Sequence, residues 1–192
     1  MEIKKFKKIV KRELTEERFE HCRKVAEIAK YLSKKNEYLY PNKAYLAGLL
    51  HDITKERPLE FHLSLFQKNK FDDFKSIPKP AYHSFSAKFY LKSVYDFSDP
   101  EINSAIKSHT LGKPKMNLLE KILYVSDFLG SDYSMKQKEY DGWLKQTTLN
   151  LNYGLYLKSK KTIERLIGSK KDIHNHTIAV YRESISNLRE SH

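Results

Sequence analysis

The sequence predicts an all-α fold from three observations. No segment of the 192 residues alternates apolar and polar side chains over the length of a β-strand. Apolar residues instead recur every three or four positions, which places them on one face of an α-helix. With 40% hydrophobic residues and only six Gly and six Pro, the chain can bury a core and is neither fibrous nor disordered.

The N-terminal part of the chain predicts four helices. Thr15 precedes Glu16 and Glu17 and is expected to cap the second helix, because its hydroxyl can accept a bond from a free backbone N–H. A third helix is expected to start at Pro41 and a short fourth at Pro58. The first, basic helix has an apolar face of Ile3, Phe6, Val10 and Leu14. The second has a face of Phe19, Cys22, Val25, Ala26, Ala29 and Leu32.

The rest of the chain predicts further helices after one longer loop. Residues 69–80 contain two Pro and two Asp and are expected to form that loop. Asp99, which precedes a proline, is a predicted N-cap, and Asn117 with Glu120 has the spacing of a capping box. The predicted helices span residues 83–95, 100–109, 118–129, 143–167 and 173–188.

No linker or internal repeat divides the sequence, so residues 1–192 are predicted to form one domain. Its core is expected at about residues 15–130, with C-terminal helices at about 141–190 packing on it. The single cysteine, Cys22, excludes a disulfide framework and is expected to pack in the core. The chain lacks a long apolar run and a secretory signal, so a cytoplasmic protein without membrane contact is expected.

The chain carries a formal net charge of +12, from 36 Lys and Arg against 24 Asp and Glu. Such an excess attracts polyanions, which include nucleic acid, acidic membranes and small phosphorylated ligands. Lysines spread along a chain are also typical of an ordinary solvated surface. The charge alone therefore does not identify a partner.

Four histidines and two aspartates stand out because each lies at the edge of an apolar helical segment. They are His21, His51, Asp52, His83, His109 and Asp127. The His51 and Asp52 side chains point about 100° apart around a helix, which suits two ligands of one ion. For a lone core histidine such as His21, a hydrogen bond to a carbonyl is the more common explanation. Asp127 interrupts an apolar run, where a buried carboxylate needs a cation or a metal ion.

This set of imidazoles and carboxylates predicts a metal site with nitrogen and oxygen ligands. Because the chain has a single cysteine, structural zinc is disfavoured. Iron, manganese, cobalt, nickel and catalytic zinc all suit such donors. Six candidate ligands exceed the need of one ion with an open position, so two neighbouring ions are expected.

The order of these residues resembles the H…HD…H…H…D pattern of HD-domain phosphohydrolases. Four segments narrow the resemblance further: LTEERFEH at residues 14–21, AGLLHDITKE at 47–56, AIKSHTLGKP at 105–114 and LLEKILYVSD at 118–127. With these motifs, the sequence is similar to the bacterial YqeK family of symmetrical diadenosine tetraphosphate hydrolases. The likeness extends from about residue 6 to residue 127 and continues more weakly near the C-terminus.

The resemblance implies an all-helical HD fold with a dinuclear centre that typically contains iron. It assigns one ion to His21, His51, Asp52 and Asp127. It assigns a second ion to Asp52, His83 and His109. Water activated between the ions would attack an inner phosphorus of diadenosine tetraphosphate and release two ADP, with Asp52 and Lys55 as catalytic residues.

The resemblance also implies contacts to the phosphates of a dinucleoside polyphosphate. Lys55 follows the His-Asp pair by one turn and matches the lysine of HDxxK motifs, although an exposed lysine at a helix end needs no such role. Thr110, Gly112 and Lys113 match a loop in which amide and cationic donors can meet phosphate.

Two departures from the family pattern leave alternatives open. After Asp127 the family usually has a stretch with an arginine, whereas this chain has Gly130-Ser131-Asp132. His83 is followed by Ser84 where the family usually has glycine. A guanosine alarmone or a nucleoside mono- or diphosphate is therefore an alternative substrate.

An RNA-binding module with a vestigial metal site is a further alternative, based on the net charge and the basic first helix. The sequence is also compatible with a homodimer.

Overall fold

The computed structural model describes residues 2–190, and every regular element in that range is helical. The prediction of an all-α fold is therefore confirmed. Two 3-10 helices, Asp72–Ser76 and Lys79–Ala81, lie between α4 and α5. The α-helices are α1 (Glu2–Glu13), α2 (Glu16–Lys35), α3 (Pro41–Leu50), α4 (Leu59–Lys68), α5 (Tyr82–Tyr95), α6 (Pro100–Ser108), α7 (Leu118–Leu129), α8 (Asp132–Met135), α9 (Tyr140–Leu149), α10 (Leu151–Gly168) and α11 (Asn175–Glu190).

Three of these helices begin at the capping residues that the sequence predicts. The Thr15 hydroxyl accepts a hydrogen bond from the backbone N–H of Arg18 at 3.3 Å. Asp99 caps α6 in the same manner. Asn117 and Glu120 form a capping box at the start of α7, with bonds of 2.8 and 2.9 Å. These side chains satisfy N–H groups that have no partner inside the helix.

The structure departs from the predicted elements most clearly in the C-terminal third. The single helix predicted over residues 143–167 is wrong, because the chain breaks at Asn150 between α9 and α10. Asn150 is extended, with φ −149° and ψ 109°, and its side chain accepts a bond from the N–H of Asn152 at 2.9 Å. It therefore caps α10 instead of continuing α9. The short helix α8 and the two 3-10 helices within residues 72–81 were also not predicted.

Helices α2, α3 and α7 pack against one another and form the centre of the core. A Cβ atom built on Gly48 of α3 would lie 2.7 Å from the Cα atom of Ala26, so α2 and α3 are in backbone contact there. Cys22 of α2 is buried in this core, as predicted. The close packing brings His21 of α2 near the turn that follows α3.

A smaller aromatic cluster packs the segment between α4 and α5 against the first turns of α5. Phe66 of α4 lies at its centre and contacts the rings of Phe74 and Tyr82. Because Tyr82 immediately precedes His83, this packing fixes the start of α5 and thereby the position of the histidine.

Helices α10 and α11 pack beside α7 and the turn that follows α6. The Thr177 hydroxyl of α11 donates a hydrogen bond to the Leu111 carbonyl at 3.1 Å. The same core of buried apolar side chains includes Phe6 of α1 and Val180 of α11. None of the helices described between residues 2 and 190 has the length and apolar character needed to cross a bilayer.

Candidate metal centre

The turn after α3 carries two of the predicted ligands at the edge of the core. His51 and Asp52 are 0% and 2% exposed. His51 Nδ1 donates to the Gly48 carbonyl at 2.7 Å, because a carbonyl oxygen can only accept. Thr54, in the same turn, donates its hydroxyl to the His83 carbonyl at 2.9 Å. These bonds hold the turn against α5 and fix the orientation of the His51 ring.

His21 and His51 lie together with one oxygen of Asp52 and one oxygen of Asp127. The Nε2 atoms of His21 and His51 are 3.2 Å apart. Asp52 Oδ2 lies 3.9 Å from His21 Nε2 and 3.5 Å from His51 Nε2. Asp127 Oδ1, from α7, lies 3.3 and 3.4 Å from the same two nitrogens. We call these four residues the first ligand group.

The other oxygen of Asp52 faces two further histidines. Asp52 Oδ1 lies 3.2 Å from His83 Nε2 and 3.5 Å from His109 Nε2. The two ring nitrogens are 3.2 Å apart. Asp52, His83 and His109 form the second ligand group, so the Asp52 carboxylate is shared between both groups.

Three of the candidate histidines use Nδ1 to bond to main-chain carbonyls, which leaves Nε2 to face the other candidate ligands. His51 and His109 donate through Nδ1 to main-chain carbonyls at 2.7 Å, and His21 Nδ1 does so at 3.3 Å. In the neutral rings Nε2 therefore carries a lone pair. Asp52 Oδ1 is buried and accepts no hydrogen bond from the described residues 2–190. Because imidazole nitrogens and carboxylate oxygens converge here, the residues present fit metal ions.

Burial and neighbouring charges shift the pKa values of the candidate ligands. Burial lowers the pKa of His109 to about 4 and also lowers the pKa of His83, so both rings are neutral near pH 7. Burial disfavours the Asp52 carboxylate, but His51, His109 and His83 outweigh it and hold the pKa of Asp52 well below its ordinary value. For His51, burial disfavours the charged ring, yet Asp52 raises its pKa well above the ordinary value. His51 must therefore lose a proton when a metal ion binds.

Lys158 of α10 belongs to this site, although the sequence does not predict it. Its buried ammonium donates three hydrogen bonds of 2.8 Å, to Asp127 Oδ2 and to the carbonyls of His109 and Tyr124. It also lies 4.1 Å from the centre of the Tyr124 ring. No local pattern in the sequence distinguishes Lys158 from the other 35 of the 36 Lys and Arg residues.

Arg18 is a second cation of this site that is absent from the residues predicted from the sequence. Its Nη1 donates to Asp52 Oδ2 at 3.1 Å, and its side chain is 34% exposed. Arg18 precedes His21 by three positions on α2, a spacing that places both on one face of the helix. That spacing is the signal that could have identified it.

Two of the predicted phosphate-binding residues lie beside the second ligand group. Lys55 Nζ is 3.5 Å from both ring nitrogens of His83. The Thr110 hydroxyl is 3.2 Å from His83 Nε2 and 3.1 Å from His109 Nε2. A lysine and a hydroxyl therefore accompany the second group.

The other two predicted phosphate-binding residues have different neighbours. Lys113 Nζ pairs with the buried carboxylate of Glu120 at 2.7 Å. Gly112 packs against Val180 of α11 and the ring of Tyr124. The structure thus does not bring Gly112 and Lys113 into contact with the candidate ligands.

A cavity of about 330 Å³ adjoins the second ligand group. None of its lining side chains is a carboxylate. Lys55 and Lys79 form no ion pair with any residue in the described range 2–190, whereas Arg57 pairs with Glu13 at 2.5 Å. Such a cavity fits an anion. Its lining residues are Lys55, Arg57, Leu59, His62, Lys79, Pro80 and His83.

The Gly130-Ser131-Asp132 stretch has structural partners of its own. The Gly130 carbonyl accepts the bond from His21 Nδ1, and Ser131 caps α8. Asp132 accepts a hydrogen bond from Lys24 at 3.1 Å. This stretch therefore orients a candidate ligand and supplies no cation to the site.

The sequence of this chain is similar to a known domain family and to several curated proteins. The sequence model described as the HD domain matches residues 18–130, which include all six candidate ligands. A protein from Halalkalibacterium halodurans named symmetrical bis(5′-nucleosyl)-tetraphosphatase is 29% identical over 182 residues, covering 91% of this chain and 92% of that protein. A protein of the same name from Staphylococcus aureus is 28% identical over 182 residues, covering 93% and 92%.

A solved structure is similar over nearly the whole chain. It is a Clostridium acetobutylicum protein described as a predicted HD superfamily hydrolase involved in NAD metabolism. The two chains superpose with a TM-score of 0.86 at 27% identity, covering 96% of this chain and 97% of the other. The similarity therefore includes the C-terminal helices beyond residue 130.

Proposed function

The chain belongs to the HD domain family, and from this premise we propose that it is a metal-dependent phosphohydrolase that cleaves diadenosine tetraphosphate symmetrically into two ADP. The position of Asp52 carries the proposal, because one of its oxygens faces His21 and His51 while the other faces His83 and His109. Relatives matched over more than nine-tenths of this chain are named for symmetrical cleavage of bis(5′-nucleosyl) tetraphosphates, which supports this substrate.

Two metal ions are proposed, one for each ligand group, with Asp52 shared between them. When bound, they would supply Lewis-acid charge that activates water and neutralises phosphate oxygens. Iron is the proposed metal, and the imidazole and carboxylate donors also suit manganese, cobalt, nickel and zinc. The neutral rings of His83 and His109 are in the form that binds a metal ion.

The cations beside the ligand groups would hold the tetraphosphate. The partly exposed Arg18 guanidinium reaches Asp52 and can offer its remaining N–H groups to a phosphate oxygen. Lys55 lies beside His83 without a carboxylate partner in the described residues, so its charge is available to the substrate. The Thr110 hydroxyl can donate a further hydrogen bond. Lys113 is retained as a proposed contact only if its pair with Glu120 opens.

The cavity beside His83 supports an extended polyphosphate substrate. A symmetrical dinucleotide has one nucleoside diphosphate on each side of the bond that is cleaved. The half on the His83 side would place its phosphates between Lys55 and Lys79, where the lining contains no carboxylate to repel them.

A different nucleotide is the second candidate substrate. The observation that favours it is the Gly130-Ser131-Asp132 stretch, which contributes the Asp132 carboxylate and no cation next to Asp127. The alternatives are a guanosine alarmone and a nucleoside mono- or diphosphate, and the mono- and diphosphates carry fewer negative charges than a dinucleoside tetraphosphate and need fewer cations. An RNA-binding function would use the net charge of +12 but leaves the two ligand groups unexplained.

Product analysis tests the proposed reaction. The purified protein, loaded with iron or manganese, is incubated with diadenosine tetraphosphate, and the products are separated by chromatography. We expect ADP alone. Formation of ATP with AMP, or no cleavage, would contradict the proposal. Preferential turnover of a guanosine alarmone or a nucleoside mono- or diphosphate in the same assay would select the second candidate.

Variants of two candidate ligands test whether the reaction takes place at this site. His51→Ala and, in a second variant, Asp52→Ala are expected to abolish turnover while circular dichroism shows an unchanged helix content. His176→Ala removes an exposed imidazole of α11 and is the matched control, with turnover equal to that of the wild type. Full turnover in either ligand variant would remove this mechanism.

A further inference from the structure

Lys158 contacts both ligand groups through one atom. Its Nζ donates to Asp127 Oδ2, in the first group, and to the main-chain carbonyl of His109, in the second group. The third donor proton goes to the Tyr124 carbonyl. A lysine ammonium has three protons, so none is left for a substrate phosphate. With the residue only 5% exposed, Lys158 acts on the protein and not on the substrate.

The packing of α10 against α7 fixes the place of Lys158. Gly154 lies one turn before Lys158 on α10. A Cβ atom at Gly154 would lie 2.6 Å from Val125 Cγ1 of α7 and 2.6 Å from Thr147 Cγ2 of α9. Because glycine permits this close approach, the next turn of α10 reaches the Asp127 carboxylate and the Tyr124 carbonyl.

The two oxygens of Asp127 have different surroundings. Oδ2 accepts the hydrogen bond from Lys158 at 2.8 Å, whereas Oδ1 lies 3.3 Å from His21 Nε2 and 3.4 Å from His51 Nε2. If the bond to Oδ2 were absent, the carboxylate could rotate and offer either oxygen, or both, to the first ligand group. The charge-assisted bond from Lys158 opposes that rotation.

We propose that Lys158 is a positioning residue of the metal centre, which restricts Asp127 to one metal-facing oxygen and ties it to the His109 main chain in the second ligand group. This inference rests on the proposed function and deepens it. Lys158 lies beyond the segment matched by the HD domain, residues 18–130, so the residue is contributed by the C-terminal helices of this chain. Outer contacts of this kind orient the groups that bind a metal ion.

Cobalt absorption spectroscopy tests the inference with a readout that does not depend on turnover. Co²⁺ is added to the full-length metal-free protein, and the visible spectrum is recorded for the wild type, Lys158→Met and Lys160→Met. Lys160→Met is the matched control, because it makes the same change two positions away at a half-exposed site. We expect a changed spectrum for Lys158→Met alone, since its Asp127 is free to rotate.

Kinetics separate positioning from substrate binding. With diadenosine tetraphosphate, kcat of Lys158→Met should fall by about 10-fold or more, while KM stays within about twofold of the wild type. Lys158→Arg keeps the charge and the donors and should recover part of kcat. If Lys158→Met does not unfold cooperatively, Lys158→Gln is compared with Lys160→Gln by the same criteria.

The outcomes distinguish the inference from the proposed function. A spectrum and kcat of Lys158→Met that equal those of Lys160→Met, with only the melting temperature lowered, would show that Lys158 merely stabilises the packing and would overturn the inference. Wild-type protein that binds no Co²⁺ and cleaves no dinucleotide would instead overturn the proposed function, and this inference with it.

Discussion

The chemistry of each candidate ligand depends on which of its atoms the protein already uses. His51 and His109 commit Nδ1 to carbonyls of the preceding turn, so that Nε2 is left for another partner. Asp52 divides its oxygens between two pairs of histidines. Asp127 divides its oxygens between Lys158 and the first ligand group. Replacing one oxygen of a carboxylate therefore tests the role of that side chain more specifically than shortening the side chain does.

Asp52→Asn replaces one shared oxygen by an amide nitrogen, which carries no lone pair for a metal ion. We expect the metal content to fall below two ions per chain and turnover to drop by at least about 100-fold. Elemental analysis and product formation from diadenosine tetraphosphate measure both effects. Asp141→Asn, at an exposed position of α9, should leave them unchanged. Two ions and full turnover in Asp52→Asn would exclude the bridging role.

At the scale of elements, the close contact between α2 and α3 sets the distance between His21 and His51. Gly48→Ala places a methyl group 2.7 Å from Ala26 Cα and 2.9 Å from Ala26 N, and neither backbone atom can move independently. We expect the free energy of unfolding to fall by about 1–3 kcal/mol. Gly142→Ala in α9 is the control, because a Cβ atom there meets nothing within 4 Å. Urea unfolding should show that the free energy of unfolding of Gly142→Ala equals that of the wild type or exceeds it by about 0.5–1 kcal/mol.

Glu13 joins α1 to α5 and to the turn after Asp52. It accepts bonds from the Tyr90 and Tyr95 hydroxyls at 2.6 Å and from Arg57. Burial opposes ionisation, but these donors outweigh it and lower the pKa of Glu13 below its ordinary 4.5. Because the carboxylate of the folded protein has the lower pKa, its stabilisation is complete above the ordinary value and is lost as pH falls through the lowered pKa of the folded protein.

Glu13→Gln should therefore lower the free energy of unfolding by about 1–3 kcal/mol at neutral pH. The difference from the wild type should shrink as pH falls below about 4. Urea unfolding at both pH values measures it, with the exposed Glu17→Gln as the control. A difference that grew on acidification would contradict the assigned hydrogen bonds.

The 3-10 helix Lys79–Ala81 brings Lys79 to the cavity beside His83. If one half of the substrate lies there, Lys79→Ala should raise KM for diadenosine tetraphosphate by about threefold to tenfold, with little change in kcat. Lys75→Ala removes an exposed lysine of the preceding 3-10 helix, outside the cavity lining, and should leave KM unchanged. Equal KM values for both variants would place the substrate elsewhere.

Local signals explain which elements could be predicted from the sequence. Thr15 and Asn117 cap helices through bonds to residues three positions away, so the sequence contains the whole interaction. The break at Asn150 was not predicted, because asparagine favours caps but also occurs inside helices, so its presence alone does not mark a helix start. A similar limit applies to α8, which has four residues and no apolar period.

In the candidate site too, some residues can be predicted from local sequence signals and others cannot. The histidines and aspartates of the ligand groups could be identified because each interrupts or ends an apolar segment, which is visible in the sequence. Lys158 could not be identified in this way, because its three hydrogen-bond partners lie on other elements. Its position also depends on the close packing of α10 against α7 at Gly154. Long-range contacts of a common residue type leave no local pattern.

At the scale of the whole molecule, the net charge of +12 is compatible with both a nucleotide substrate and nucleic acid. The two differ in where the charge acts. A tetraphosphate engages a few cations near Asp52, whereas RNA would engage many along a surface such as the basic α1. The dependence on salt therefore distinguishes a small ligand from a polymer.

We expect KM for diadenosine tetraphosphate to rise about threefold to tenfold between about 0.05 and 0.3 M salt, because screening weakens the attraction of a polyanion to the positive chain. The value of kcat should change little, since the groups around Asp52 are buried and screened far less. Initial rates over a salt series, with metal concentration fixed, measure both. Metal-free protein should bind RNA weakly under the same conditions. Tight, steeply salt-dependent RNA binding without metal, together with a KM that is insensitive to salt, would favour the RNA-binding function over the hydrolase.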